Sequence, residues 1–361
     1  MIYNLIFILL FLFSLFYILK PEKVEYKVLS LLIFAVFFII GGLRFEVGAD
    51  WEAYKYFFDD ISQFSEIFNQ RYEPLYTTIV LILKSIYNNY SFFIFIVFFL
   101  AFGLKYKVIN FFSPNIFISL IVYLYTVFLI YDINGLRQGL ALALTFYSLK
   151  YVNEKKLLFF LLLTVLACFF HKSAIIFLPF YWLRGIKINK RNVYLLLFVF
   201  LVLAIPLRTL VMNSGWFNAF MMDESLEHYS SYLSDDYQLN IPIISFSVIQ
   251  RIVILVMFLI FYDRIEAPEE FKLLLCNGYF LGIILFLLLS FSAEMAARLS
   301  FYYKTLELIM IPLIVYSPKR IIDRVMILLL FSSFAYIGLY RLLSIPDGYL
   351  LPYKNLLLSL I

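Results

Sequence analysis

The sequence predicts an all-α fold, a polytopic integral-membrane helical bundle of about 11–13 membrane segments, and three observations carry that expectation. The first is composition. Of the 361 residues, 64% are apolar and only 15% charged, against about 25% charged in a soluble domain. So few charges cannot cover the surface of a water-soluble fold of this size. The second observation is the length of the apolar runs, and the third is the gathering of Lys and Arg between them. The same composition excludes a disordered chain, a disulfide scaffold and a nucleic-acid binder. The net charge of +5 is no sign of a nucleic-acid partner, because Lys and Arg also mark cytoplasmic loops.

A helix rises about 1.5 Å per residue, so crossing the hydrocarbon core takes roughly 20 apolar residues. Apolar runs fall at 2–19, 28–43, 74–87, 91–104, 116–131, 135–149, 157–170, 173–183, 192–212, 244–262, 272–291, 299–316 and 325–343, thirteen in all. The first has no basic n-region and no small-residue cleavage site, so it is expected to be a retained helix. Cys168 and Cys276 both lie in apolar runs and read as small core residues. A single transmembrane domain, 1–361, is expected, with two long polar loops at 44–73 and 213–243.

Orientation follows from the basic residues. Lys20, Lys23 and Lys27, then Lys105 and Lys107, then Lys150, Lys155 and Lys156 read as cytoplasmic turns. So do Arg184 with Lys187, Lys190 and Arg191, Arg264 with Lys272, and Lys319 with Arg320 and Arg324. Residues 213–243 hold five acids and no Lys or Arg, and 44–73 hold seven acids and three basic residues; both loops are therefore expected outside. Parity between the outer loop 44–73 and an inner Lys105 is restored if 74–87 is re-entrant or interfacial. That gives about twelve crossings with both termini outside.

Ionisable residues at the membrane edge are functional candidates because lipid penalises charge. Arg44, Asp50, Trp51 and Tyr54, then Arg71 and Glu73, then Asp132, Asn134, Arg137 and Gln138, then His171 and Lys172, and finally Glu294 and Arg298 fall at the outer end of their segments. Each has a plainer explanation. Arg44 suits an interface anchor, Glu294 and Arg298 are spaced to pair with each other, as are Lys304 and Glu307, and Tyr229, Tyr232 and Tyr237 suit an aromatic belt. Convergence from five segments favours the functional reading. Arginine forks bind phosphate oxygens and can stabilise a departing diphosphate without metal. A carboxylate or imidazole can deprotonate an attacking hydroxyl, and aromatic faces with acidic groups suit sugars. The set describes glycosyl transfer from a polyprenyl-diphosphate donor at the outer face. There is no Walker loop, no metal-ligand spacing and no Ser-His-Asp arrangement. A lipid-linked oligosaccharide flippase or transporter would distribute charge to both faces. A ligase would share this one-sided chemistry.

The order Arg44…Gly48-Ala49-Asp50-Trp51…Tyr54, Glu73-Pro74, Asn134…Arg137-Gln138-Gly139-Leu140-Ala141, Phe170-His171-Lys172-Ser173-Ala174 and Arg298…Tyr302 resembles the EpsG-like branch of the Wzy-type polysaccharide polymerases. The resemblance runs from about residue 40 to about 305. Gly48-Ala49-Asp50 stands where that family usually has a Gly-Thr-Asp or similar triplet. The resemblance implies a GT-C-type glycosyltransferase of the bacterial cytoplasmic membrane, with its active site on the outer side. It would join undecaprenyl-diphosphate-linked oligosaccharide units into O-antigen, capsule or exopolysaccharide. In the roles it implies, Arg137 and Arg298 clamp the diphosphate with help from Arg44. His171 is the general base, with Asp50 or Glu73 the second choice, and Gln138 and Tyr54 position sugar or phosphate. Glu294, Tyr229 and Tyr232 complete the candidate substrate-binding set. No cofactor or metal is expected. The expected partners are the lipid-linked donor and acceptor, membrane lipids and a chain-length regulator protein.

Overall fold

All thirteen apolar runs become helical wherever the computed structural model describes them, which is residues 2–20, 25–68, 70–187, 189–212, 214, 245–345 and 349–357. Local sequence sets several starts. Pro74 opens α4 (Pro74–Ile86) at a position where its missing N–H is no loss. Asn89 caps α5 (Tyr90–Phe112) through Phe92 N–H, and Asn115 caps α6 (Ile116–Tyr123) through Phe117 N–H. Among the described residues there is no β-strand, only an isolated antiparallel bridge between Arg44 and Asn355. Seven helices among the described residues are long and apolar enough to cross a membrane, or eight if one broken pair counts as a single span. Three shorter apolar helices fall below that length. The chain is thus an all-helical, multi-pass membrane protein.

The chain divides into two compact units. The first holds residues up to Leu178 and from Glu307 onward. It contains α1 (Ile2–Leu19), α2 (Glu25–Gly42), α3 (Trp51–Asp60), α4, α5, α6, α7 (Leu136–Asn153) and α8 (Leu157–Phe170), later joined by α13 (Glu307–Tyr316) and α14 (Ile321–Leu343). Every residue of α6 is buried, and α1, α5, α13 and α14 pack around it. From Leu124 to Asn134 the helix continues as a π-helix. The second unit, Pro179–Leu306, contains α9 (Lys190–Met212), α10 (Phe246–Phe261), α11 (Glu269–Leu288) and α12 (Ala293–Lys304). There α11 packs on α9, α10 and α12, and Gly278 and Gly282 leave room for the rings of Phe180 and Tyr303.

Three features differ from the sequence expectation. The fourth run does not end before Lys105. Instead α5 continues to Phe112 and Lys105 is buried inside it, its Nζ 2.6 Å from Asp132 Oδ1 and 2.8 Å from the Gly139 carbonyl. Lys105 is therefore no part of a cytoplasmic turn; the buried carboxylate offsets the cost of its charge. The run at 299–316 is broken between Lys304 and Glu307, which end and begin separate helices. Third, the polar loop 44–73 contains the helix α3, four of whose ten residues (Trp51, Tyr54, Phe57, Phe58) are buried.

Two devices fix the end of the first unit that carries α3. The segment 349–357 returns to the residues after α2. Gly48 N–H donates to Tyr349 O at 2.8 Å, Phe45 N–H to Lys354 O at 3.1 Å and Leu356 N–H to Leu43 O at 2.9 Å, while Lys354 pairs with Glu46 at 2.6 Å. In addition, Lys84 near the end of α4 donates to the carbonyls of Phe58, Asp59 and Ile61 at 2.6, 2.9 and 2.7 Å. A cation at a helix C-terminus meets orphan carbonyls and the negative end of the helix dipole. At 13 residues, α4 spans only about 20 Å, less than the roughly 30 Å of a hydrocarbon core.

Candidate functional site

Two candidates of the first unit, Glu73 and Tyr54, meet around Arg137. It lies in the first turn of α7, and its Nη1 donates to Glu73 Oε2 at 2.5 Å. The other carboxylate oxygen of Glu73 accepts the Lys172 N–H at 3.3 Å. One acid thus ties the start of α4, the start of α7 and the end of α8. The Arg137 guanidinium lies over the Tyr72 ring, 4.3 Å from its centroid, and hydrogen-bonds Tyr54. Tyr54 and Phe57 of α3 pack on Tyr72 and Tyr76, completing an aromatic wall. Burial pushes the Tyr54 phenol up to about 12, with Arg137 opposing it; burial likewise raises Tyr72. Both stay neutral hydroxyls across the physiological range.

His171 follows α8 in extended backbone, and its Nδ1 lies 2.6 Å from Ser173 Oγ. The Ser two residues on therefore orients the imidazole, which accounts for the Phe-His-x-Ser spacing. Asp50 immediately precedes α3 and is exposed; its charge acts on both Tyr54 and Tyr72. Gln138 is buried beside Arg137 in α7.

Two glycines of the motifs serve the scaffold. Gly48 has φ +119°, and a Cβ there would stand 2.9 Å from Ile133 O and 3.0 Å from Asn134 Oδ1. That side-chain oxygen accepts the Ala49 N–H at 2.8 Å, so the Gly48-Ala49-Asp50 turn is docked on the end of the π-helix. A Cβ on Gly139 would fall 2.7 Å from Asp132 Oδ1. Asp132 also accepts from Tyr123 OH at 2.5 Å. Nine residues are two and a half turns of an α-helix, which would put Tyr123 and Asp132 on opposite faces. The wider i→i+5 turns between them return the two to one face. The Lys105–Asp132 pair is fully buried and clamps α5, the π-helix and the first turn of α7, the turn that carries Arg137.

Arg44 is placed differently from the other cations. Only 1% exposed, it donates from Nη1 to Gly41 O at 2.5 Å and from Nη2 to Ile133 O at 3.1 Å. Its guanidinium joins α2 to the π-helix, a structural placement. Glu294 and Arg298 lie in the second unit and form an ion pair one turn apart on α12. Tyr229, Tyr232 and the loop 213–243, apart from Ser214, lie outside the described residues.

The structure adds residues that motif reading passed over. Tyr72, the platform under Arg137, sits between Arg71 and Glu73; Arg71 is exposed, 5.9 Å from the same ring. In the second unit Arg251 is buried within α10, donates to Ser300 Oγ at 3.2 Å and stacks on Phe286. An arginine inside the apolar run 244–262 is the signal that could have found it. Among the described residues no group of three or more His, Cys, Asp and Glu side chains could hold a metal ion.

An all-helical multi-pass chain with an arginine, a carboxylate, a histidine and neutral phenols gathered at helix ends is a membrane protein built around a polar site. Within that class the chain belongs to the EpsG family, whose sequence profile matches residues 27–355, a membrane family related to polysaccharide polymerases. No curated protein and no solved structure matches the chain.

Proposed function

We propose that this EpsG-family protein is a membrane glycosyltransferase that polymerises undecaprenyl-diphosphate-linked oligosaccharide units on the outer face of the bacterial cytoplasmic membrane. The observation that carries this reading is the Arg137 cluster. Arg137 is held by Glu73 and Tyr54 over the Tyr72 ring, with Arg71, Lys172 and His171 on the adjoining residues. The N-termini of α4 and α7 meet there as well, each contributing the partial positive charge that favours phosphate. A lipid diphosphate matches that excess of cationic groups, and a fork bound on one side by Glu73 keeps its remaining N–H donors in a fixed orientation.

In the reaction, a hydroxyl oxygen of the acceptor sugar attacks the anomeric carbon of the donor. The bond from that carbon to the diphosphate oxygen breaks, and the diphosphate leaves with the electron pair, its charge met by Arg137. The hydroxyl proton passes to His171, oriented by Ser173. Both oxygens of Glu73 already accept hydrogen bonds, which favours His171 over Glu73 as the base. Gln138 and Asp50 are proposed positioning groups, Glu294 and Arg298 of the second unit remain proposed substrate-binding residues, and no metal is assigned a role.

Deleting the gene should leave surface glycan capped with a single repeat unit, read by gel electrophoresis of the extracted glycan. Unchanged chain lengths would refute the polymerase; loss of the whole glycan from its terminal acceptor would favour a ligase. Arg137→Ala should lower the polymerisation rate by about 100- to 1,000-fold, the usual cost of removing a donor to developing negative charge, while the protein still reaches the membrane.

A further inference from the structure

A groove of about 320 Å³ opens on the other side of α3 from Arg137. Small-ligand sites commonly enclose about 300–1,000 Å³. The rings of Phe45, Trp51 and Tyr90 form its apolar part, and Lys55, Asp59 and Asn88 are among its polar lining. The rings are held edge to face, Phe45 to Trp51 at 6.0 Å and Trp51 to Tyr90 at 4.9 Å between centroids. Tyr90 OH donates to the Trp51 carbonyl at 3.3 Å. The side walls are exposed: Lys55 and Asp59 pair across one helical turn at 2.7 Å, each about half-exposed, and Asn88 stands in the turn between α4 and α5.

We propose that this groove is a saccharide-binding subsite that holds sugar residues of the glycan chain; the assignment rests on the glycosyl-transfer reading above. The composition selects the ligand class. A bare phosphate would meet the Asp59 carboxylate, and a polyprenyl tail would have to desolvate the Lys55–Asp59 pair and the Asn88 amide. A sugar ring offers C–H groups to the half-buried Phe45 ring, behind which Trp51 and Tyr90 are buried, and hydroxyls that both donate and accept. Lys55 supplies donors, Asp59 acceptors and the Asn88 carboxamide both. An open groove also lets a chain of rings run on into solvent.

Helix geometry connects the groove with the cluster. On α3, residues 51, 55, 58 and 59 share the face toward the groove, while Tyr54 and Phe57 turn toward Tyr72 and Tyr76. Ten residues thus separate a diphosphate-binding cluster from a sugar-binding groove, and the exposed Asp50 stands at their common start.

The test uses the full-length protein in lipid nanodiscs, titrated with oligosaccharide fragments from partial hydrolysis of the producing cell's own surface polysaccharide. These fragments carry neither lipid nor diphosphate. Asn88→Leu and Phe45→Ala should each weaken binding at least tenfold, and Arg137→Ala should change it less than twofold. Asn88 is exposed, so its variant should keep the parent's melting temperature and stands as the decisive one if Phe45→Ala unfolds. Parent-like affinity in Asn88→Leu, or no binding by the parent protein, would overturn the groove. Loss of polymer in Arg137→Ala cells alongside parent-like binding by Asn88→Leu would overturn the groove alone. Unaltered chain lengths after gene deletion would overturn the transfer reading even where fragments bind.

Discussion

In the proposed reaction Arg137 and His171 have different roles for different physical reasons, and their substitutions should separate. A guanidinium fixed by a carboxylate and a phenol is already oriented when substrate arrives, so its loss should act on charge stabilisation. His171 is held through Ser173, so its loss should remove proton acceptance. His171→Ala should slow polymerisation by about 100- to 10,000-fold and abolish the acidic limb of the pH–rate profile, measured on purified lipid-linked substrate; a parent-like profile would pass the base role to Asp50. Tyr54 supplies no alkaline limb: burial holds its proton to about pH 12, so Tyr54→Phe should leave the profile's shape unchanged. Arg137, Glu73 and His171 were legible in the sequence because charge in an apolar context stands out. Tyr72 was hidden, since one tyrosine among 29 carries no such contrast.

The elements that present these residues depend on a buried ion pair. Removing one member of such a pair costs about 3–5 kcal/mol, because the other charge is left without compensation, whereas an apolar pair of similar volume can be neutral or better. Lys105→Met alone should therefore lower the melting temperature in detergent sharply, and Lys105→Met with Asp132→Leu should recover most of it. A double variant as unstable as the single would show that the Tyr123 hydroxyl bond to Asp132, and not the ion pair, sets the stability. Here the sequence was least legible. Lys105 and Lys107 resemble a loop until Asp132 is known to lie beside the first, and nothing in a uniformly apolar run announces a change from α to π turns. The helix α3 was equally hidden inside an acidic loop, because its buried aromatic face is only ten residues long. In contrast, the helical character of the thirteen apolar runs was legible from length and apolarity, though not the break between Lys304 and Glu307.

At the scale of the whole molecule, function turns on which side of the membrane the Arg137 cluster faces. A cysteine placed at exposed Asn88 should react with a membrane-impermeant maleimide in intact cells stripped of their outer layers, and one placed at exposed Lys155 should not. The reverse pattern would put the cluster inside and exclude transfer at the outer face. Both native cysteines are shielded to different degrees, Cys276 buried and Cys168 half-buried, so the labelling is best done after replacing Cys168. The segment 349–357 bears on this scale too. It supplies the hydrogen bonds that close Phe45 and Gly48, and Gly48 in turn seats the residues leading into α3. Ribosomal synthesis delivers that partner after every helix of the first unit. The turn in front of α3 therefore waits, through the insertion of all those helices, for its last hydrogen bonds. The hydrogen bonds that close this turn form only once translation has passed 349–357.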